Sequence, residues 1–255
     1  LQNVERRSER TRLRKRSICR PSLRHEKWRR NLLRLGRRLP IKNNCRRSGL
    51  LVSLEIKAVL LDLGNVVLGV DFRRVFKYWS EASSKPLDIF HSQWSIDKPY
   101  ESHEKGQIDF ETYSQHLSAT FDITLTHDQW ITGWNRLWTQ PVMSTVNLLP
   151  RIAKNYELYA LTNTNRIHAD FFKKEYCSEL SNFNHLFISN EIGLRKPEPE
   201  CFEFVCEYID LQPSQILFLD DTKMHVLAAQ NLGILAQQVE KPQAGEQILS
   251  EFLEI

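Results

Sequence analysis

An α/β fold, built on a doubly wound parallel sheet with a block of helices inserted after its first strand, is predicted by three observations on this 255-residue sequence. Short, almost wholly apolar runs recur from residue 55 onward. Helical patterns separate them. The stretch 64–155, between the first run and the second, is helical in character.

The apolar runs lie at 56–63 (IKAVLLDL), 156–162 (YELYALT), 186–189 (LFIS), 216–219 (ILFL) and 234–239 (ILAQQV). Runs of this length, separated by helices, read as parallel strands buried on both faces. Two of the intervening helices are legible. In 198–209 the apolar positions 202, 205, 206 and 209 form one face, and 223–232 leads to Gly233, a residue suited to follow a helix C-cap. Strand and helix therefore alternate into a Rossmann-like sheet.

Within the insertion, Asp71 precedes apolar positions 72, 75, 76 and 79. Asp109 precedes 110, 113 and 117, and Thr126 precedes 130, 131, 134, 137 and 138. Each is an N-cap residue ahead of a helical apolar stripe. Trp79, Trp94, Trp130, Trp134 and Trp138 fall in or beside these helices and are expected to form their core rather than line a pocket. An insertion after strand 1 lies over the carboxyl ends of the strands, where ligands bind in such sheets. The chain is accordingly divided into a leader (1–54), an α/β core (55–70 and 142–255) and a helical cap (71–141).

Charge sets the leader apart. Residues 1–50 hold 18 Lys/Arg against three acids, a net of +15, and the remainder holds 17 bases against 28 acids, a net of −11. The arginines alternate with single leucines without a sustained period, and Pro21 and Pro40 interrupt them. Such a segment buries too little apolar area to offset its ordering entropy. Disorder is expected, with a short helix near 26–35. The leader reads best as an upstream extension foreign to the natural protein. A nucleic-acid-binding arm and an organelle transit peptide are the competing readings.

No apolar run approaches the roughly 18–20 residues of a membrane span. Five cysteines (19, 45, 177, 201 and 206) lack metal-site spacing and are expected to be reduced and packed, in a cytoplasmic protein.

Chemistry gathers where the strands end. Asp62 ends the first, Thr162 and Asn163 the second, and Asp220 and Asp221 follow 216–219. Lys196 precedes a helix that starts near Pro197 and Pro199. Each alone is an ordinary turn, cap or loop residue. Together, at one edge of a parallel sheet, they supply carboxylates that repel unless a cation lies between them. Oxygen ligands of this kind suit Mg²⁺, and Lys196 with the cation would neutralise a phosphate dianion.

The motifs DLGNV (62–66), LTNTN (161–165), RKPEP (195–199) and FLDD (218–221) resemble those of the haloacid dehalogenase superfamily, over about residues 55–255. More narrowly, DLGNVV, DFRRVF (71–76), HEKGQID (103–109), TNTNRIH (162–168) and GLRKPEP (193–199) look like the bacterial α-D-glucose-1-phosphate phosphatases, which carry a helical cap between strands 1 and 2. The resemblance implies an Mg²⁺-dependent phosphatase acting on a small phosphomonoester. Asp62 would be the nucleophile that forms an aspartyl-phosphate. Asp62, the carbonyl of Gly64 and Asp221 would ligate the metal, with Asp220 behind them. Thr162 and Asn163 would bind phosphoryl oxygens, and Lys196 would orient Asp62 and offset charge.

Gly64 stands where most such phosphatases carry a second Asp that protonates the leaving oxygen, a contribution of about 10²–10⁴-fold. The glucose-1-phosphate group shares this Gly, and its presence implies a bias toward esters with good leaving groups. His225 stands where relatives commonly have Asn. His103 and Glu104 are expected to be structural, with Gly106 making a turn and Asp109 starting a helix. His116 and His168 have no evident partner. A 2-haloacid dehalogenase is the alternative enzyme, but it needs no metal and Asp220-Asp221 argue for one. A nucleic-acid-binding protein with a silent catalytic domain is the alternative outside enzymes.

Overall fold

The computed structural model describes residues 55–255. The leader, and with it the expectations of disorder, of a helix at 26–35 and of nucleic-acid binding or targeting, lies outside the described residues.

Strand β1 (Ala58–Leu61) is buried along its whole length. A short strand β2 (Leu68–Val70) follows, and its partner β3 (Trp138–Pro141) returns antiparallel to it. Between them lie α1 (Phe72–Ser83), α2 (Leu87–Gln93), α3 (Lys98–Glu104), α4 (Phe110–Phe121) and α5 (His127–Asn135). Asp71, Asp109 and Thr126 cap α1, α4 and α5 through their side chains, as their spacing predicts.

After β3 come α6 (Met143–Val146), α7 (Leu149–Asn155), β4 (Glu157–Thr162), α8 (Arg166–Glu175), α9 (Cys177–Leu180), β5 (His185–Ile188), α10 (Ser189–Ile192) and α11 (Pro199–Ile209). The chain ends with β6 (Ile216–Asp220), α12 (Lys223–Asn231), β7 (Leu235–Gln238) and α13 (Ala244–Phe252). Gly233, at φ 86, follows α12 in the left-handed conformation.

The five main strands form one parallel sheet in the order β5-β4-β1-β6-β7, the doubly wound arrangement read from the sequence. Its winding reverses between β1 and β6. Leu61 pairs with Leu219 across that boundary and the N–H of Asp62 donates to the carbonyl of Leu219 at 2.8 Å, so Asp62 and Asp220 emerge side by side at the carboxyl edge.

The β2–β3 ribbon is a difference from the sequence reading. The apolar spacing places Leu137 and Trp138 on the face of the helix capped by Thr126, yet that helix ends at Asn135 and Trp138 pairs with Val70. A three-residue strand containing Gly69 shows no alternation from which a strand could be read. Its stability comes from its partner: the N–H of Asp71 donates to Leu137 O and that of Val142 to Val67 O. No described helix is long and apolar enough to cross a membrane. Cys201 is buried and Cys206 half-buried, but Cys177 is exposed rather than packed.

The helical insert is held by aromatic packing. Trp79 and Trp134 stack at 5.6 Å with an interplanar angle of 3°, and Trp130 meets Trp79 edge-on at 4.9 Å. Trp79, Trp130, Trp134 and Trp138 are buried core, as expected, and Trp94 is half-buried against it. Gly133 allows the stack, because a Cβ there would lie 2.2 Å from Trp79 Nε1 and 2.8 Å from Tyr78 Cδ1. Gly133→Ala is expected to destabilise the protein by about 1–3 kcal/mol through overpacking. The urea midpoint measures it, and an unchanged midpoint would contradict this packing.

Candidate active site

Lys196 is the centre of the polar cluster at the carboxyl edge of the sheet. It lies in the loop between α10 and α11 and is fully buried. Its ammonium has three protons and three acceptors: Asp62 Oδ1 at 2.9 Å, Asp220 Oδ2 at 2.6 Å and the carbonyl of Leu161 at 2.7 Å. Burial opposes its charge, but Asp220 and Asp62 overcome that and raise its pKa above the ordinary lysine value. The loop is anchored by Asn163, just after β4. The Asn163 amide donates to Lys196 O at 2.7 Å and accepts from Lys196 N at 2.8 Å. Both ends of that side chain are thus engaged by the lysine's backbone, which leaves the second Nδ2 proton of Asn163 for the phosphoryl contact expected of it. Thr162 is buried at the end of β4.

Carboxylate oxygens of Asp62, Asp220 and Asp221 lie within 4.8 Å of one another. Burial, with Asp220 and Asp221 nearby and Lys196 opposing, raises the pKa of Asp62 to about 7. Asp220 goes the other way. Burial disfavours its charge, but Lys196 and His225 outweigh burial and lower it to about 2. Both Asp220 oxygens are occupied: Thr222 N donates to Oδ1 at 2.8 Å, His225 Nδ1 lies 2.9 Å from Oδ1, and Lys196 holds Oδ2. Asp220 is therefore fixed by protein donors. Asp221 is half-buried and receives only neutral donors, Asn65 Nδ2 at 3.0 Å and the Thr222 hydroxyl at 3.1 Å.

Three carboxylates and one ammonium leave two uncompensated negative charges when all are ionised, which matches a divalent cation. The all-oxygen donor set is the type that Mg²⁺ takes. Gly64 follows closely, since a Cβ on it would lie 3.6 Å from Asp62 Oδ2, so its main chain borders the same space.

Three residues contribute that sequence reasoning missed or misread. His225, which stands where relatives commonly have Asn and reads in the sequence as a packing or solvent-facing helix residue or a weaker support for Asp221, braces Asp220 instead. Asn65 sat inside the DLGNV motif without an assigned role. Arg195, beside Lys196 in RKPEP, is nearly buried and pairs with Glu104 at 2.9 Å and Glu101 at 3.0 Å, joining α3 to the Lys196 loop. Lys105 and Glu198 add a half-exposed pair at 2.8 Å, of a kind worth about 0–1 kcal/mol.

The other candidates are structural. Glu104 is buried in its pair with Arg195. His103 stacks on Tyr113 at 4.7 Å, and burial lowers its pKa to about 4. His168 stacks on Trp134, its Nε2 lies 3.0 Å from Trp134 O, and burial lowers its pKa to about 3. His116 pairs with Asp97 at 2.7 Å. Gly106 makes its turn at φ 65.

The family model of haloacid dehalogenase-like hydrolases matches residues 56–233. A D-ribitol-5-phosphate phosphatase of Bacteroides thetaiotaomicron is 23% identical over 203 residues, 78% of this chain and 98% of its own length. A sesquiterpene phosphatase of Aspergillus oryzae is 34% identical over 187 residues, 70% of this chain and 87% of its own. Among solved structures, a haloacid dehalogenase family enzyme of Bacteroides thetaiotaomicron, in complex with magnesium and inorganic phosphate, is 26% identical with a TM-score of 0.62, covering 72% of this chain and 93% of that one.

Proposed function

This chain belongs to the haloacid dehalogenase-like hydrolases, and from that membership we propose that it is a phosphatase that hydrolyses a small phosphomonoester with Mg²⁺ bound at the Asp62–Asp221 rim. The observation that carries the reading is the buried Lys196 ammonium, 2.9 Å from Asp62 and 2.6 Å from Asp220, beside a third carboxylate that has no cationic partner among the described residues.

In this reading Asp62, the carbonyl of Gly64 and Asp221 hold Mg²⁺, which when bound draws charge from the phosphoryl oxygens. Asp62 attacks phosphorus with one carboxylate oxygen. The ester P–O bond breaks, and the leaving oxygen takes a proton from water. Lys196 and the hydroxyl of Thr162 offset charge on the phosphoryl group, with the N–H of Asn163 as a further donor. Water then attacks phosphorus of the aspartyl-phosphate, releasing phosphate and restoring Asp62. Helices α1–α5 act as the cap over this edge.

The substrate is a sugar 1-phosphate such as glucose 1-phosphate. With Gly64 supplying no acid, an ester whose alcohol leaves readily is favoured, and an anomeric oxygen leaves more readily than a simple alkoxide. The 34% identity to the sesquiterpene phosphatase supports an apolar phosphomonoester as a second reading.

Phosphate release from glucose 1-phosphate, glucose 6-phosphate, ribitol 5-phosphate and farnesyl monophosphate tests both. Glucose 1-phosphate is expected to exceed glucose 6-phosphate, and equal or reversed rates would refute the leaving-group argument. EDTA should abolish release and Mg²⁺ restore it. Turnover of a 2-haloacid that persists in EDTA would instead identify a dehalogenase.

A further inference from the structure

Asn65 lies in the turn between β1 and β2 at φ 54, a conformation that residues with a Cβ mostly avoid and Asn tolerates. Its backbone N–H donates to Leu68 O at 2.8 Å, closing the turn. Its side chain spans two fixed partners. Oδ1 accepts from Val70 N at 3.2 Å, and Nδ2 donates to Asp221 Oδ2 at 3.0 Å. A main-chain N–H only donates and a carboxylate oxygen only accepts, so the two ends of the amide cannot be exchanged.

The neutrality of this contact matters. Lys196 pairs with Asp62 and Asp220, but among the described residues Asp221 has no ion pair. Its donors are an amide and a hydroxyl, which orient the carboxylate and leave its charge for a cation. An ammonium in the same place would orient it equally well and compete with the metal.

We propose that Asn65 is a positioning residue for cation binding: it holds Asp221 in the orientation that receives Mg²⁺ and ties that orientation to β2, where the helical insert leaves the sheet. This rests on the Mg²⁺-dependent phosphatase reading above. Outer partners of metal ligands act in this way, and losing one typically costs about 10–100-fold in metal affinity.

The test is calorimetric titration of Mg²⁺ into metal-stripped protein, with thermal melting in EDTA, for the wild type, Asn65→Gly and Asp221→Asn. Glycine retains the left-handed backbone, so the melting temperature in EDTA is expected to change little. Mg²⁺ affinity should fall about tenfold or more in Asn65→Gly, and binding should be lost in Asp221→Asn. Wild-type binding with Asn65→Gly within about twofold of it overturns the positioning role and leaves the metal reading intact, whether or not melting has changed. A wild type that binds no Mg²⁺ yet releases phosphate overturns the metal reading, and the role of Asn65 with it.

Discussion

Asp62→Asn is expected to lower phosphate release by about 10⁴-fold or more while leaving the protein folded, because the substitution removes the attacking oxygen and little else. Lys196 keeps Asp220 and the carbonyl of Leu161 as acceptors. Stability should not fall. Burial raises the Asp62 pKa from 3.8 to about 7. A carboxyl raised in the folded state contributes stability that is full below pH 3.8 and lost as pH rises through about 7. Above that pH, without Mg²⁺, the wild type bears the cost of an ionised buried carboxylate and the Asn variant does not. Melting in EDTA at about pH 8 should therefore occur at the same temperature or higher in the variant. Residual activity above about 1% would remove Asp62 from the proposed role, and a clearly lower melting temperature would contradict the raised pKa of its carboxyl.

The largest effect on stability is expected from Arg195→Met. Arg195 donates from Nε to Glu104 Oε2 at 3.0 Å and from Nη1 to Glu101 at 3.0 Å, and both Arg195 and Glu104 are buried. Burial raises the Glu104 pKa, with Arg195 the main force holding it down. Removing the guanidinium leaves that carboxylate buried without its cation, at a cost of about 3–5 kcal/mol. Replacing both residues by Met should recover most of it, because a well-packed apolar pair often matches or exceeds a buried ion pair. Denaturant unfolding of the wild type, both single variants and the double variant measures the coupling. A loss below about 1 kcal/mol in Arg195→Met, or strictly additive effects, would show that the pair does not anchor α3 to the Lys196 loop.

The main strands were legible because burial on both faces writes itself locally: 216–219 and 56–63 are apolar enough to exclude other readings, and β6 and β1 lie within them or one residue beyond. The N-caps at Asp71, Asp109 and Thr126 were legible for the same reason, since a cap and its helix are neighbours in sequence. The β2–β3 ribbon was not, because its few residues carry no periodicity and pair across the whole insert. The acidic pair, Lys196 and Asp62 were found through the order in which strand ends meet the edge of the sheet. The engagement of Asn163 with the Lys196 backbone was hidden, since an amide after a strand looks the same whether it faces a ligand or a loop.

By itself the sequence determined the layered α/β scaffold, the caps of the inserted helices and which ionisable groups stand at the strand ends, because apolar periodicity and capping act between residues a few positions apart. Tertiary structure alone decided that Lys196 divides its three protons among Asp62, Asp220 and Leu161 O, that His225 braces Asp220, and that Asn65 reaches Asp221. Those choices depend on strand register and loop path, which fix to within an ångström which donor meets which acceptor, and no local pattern of residues records that distance.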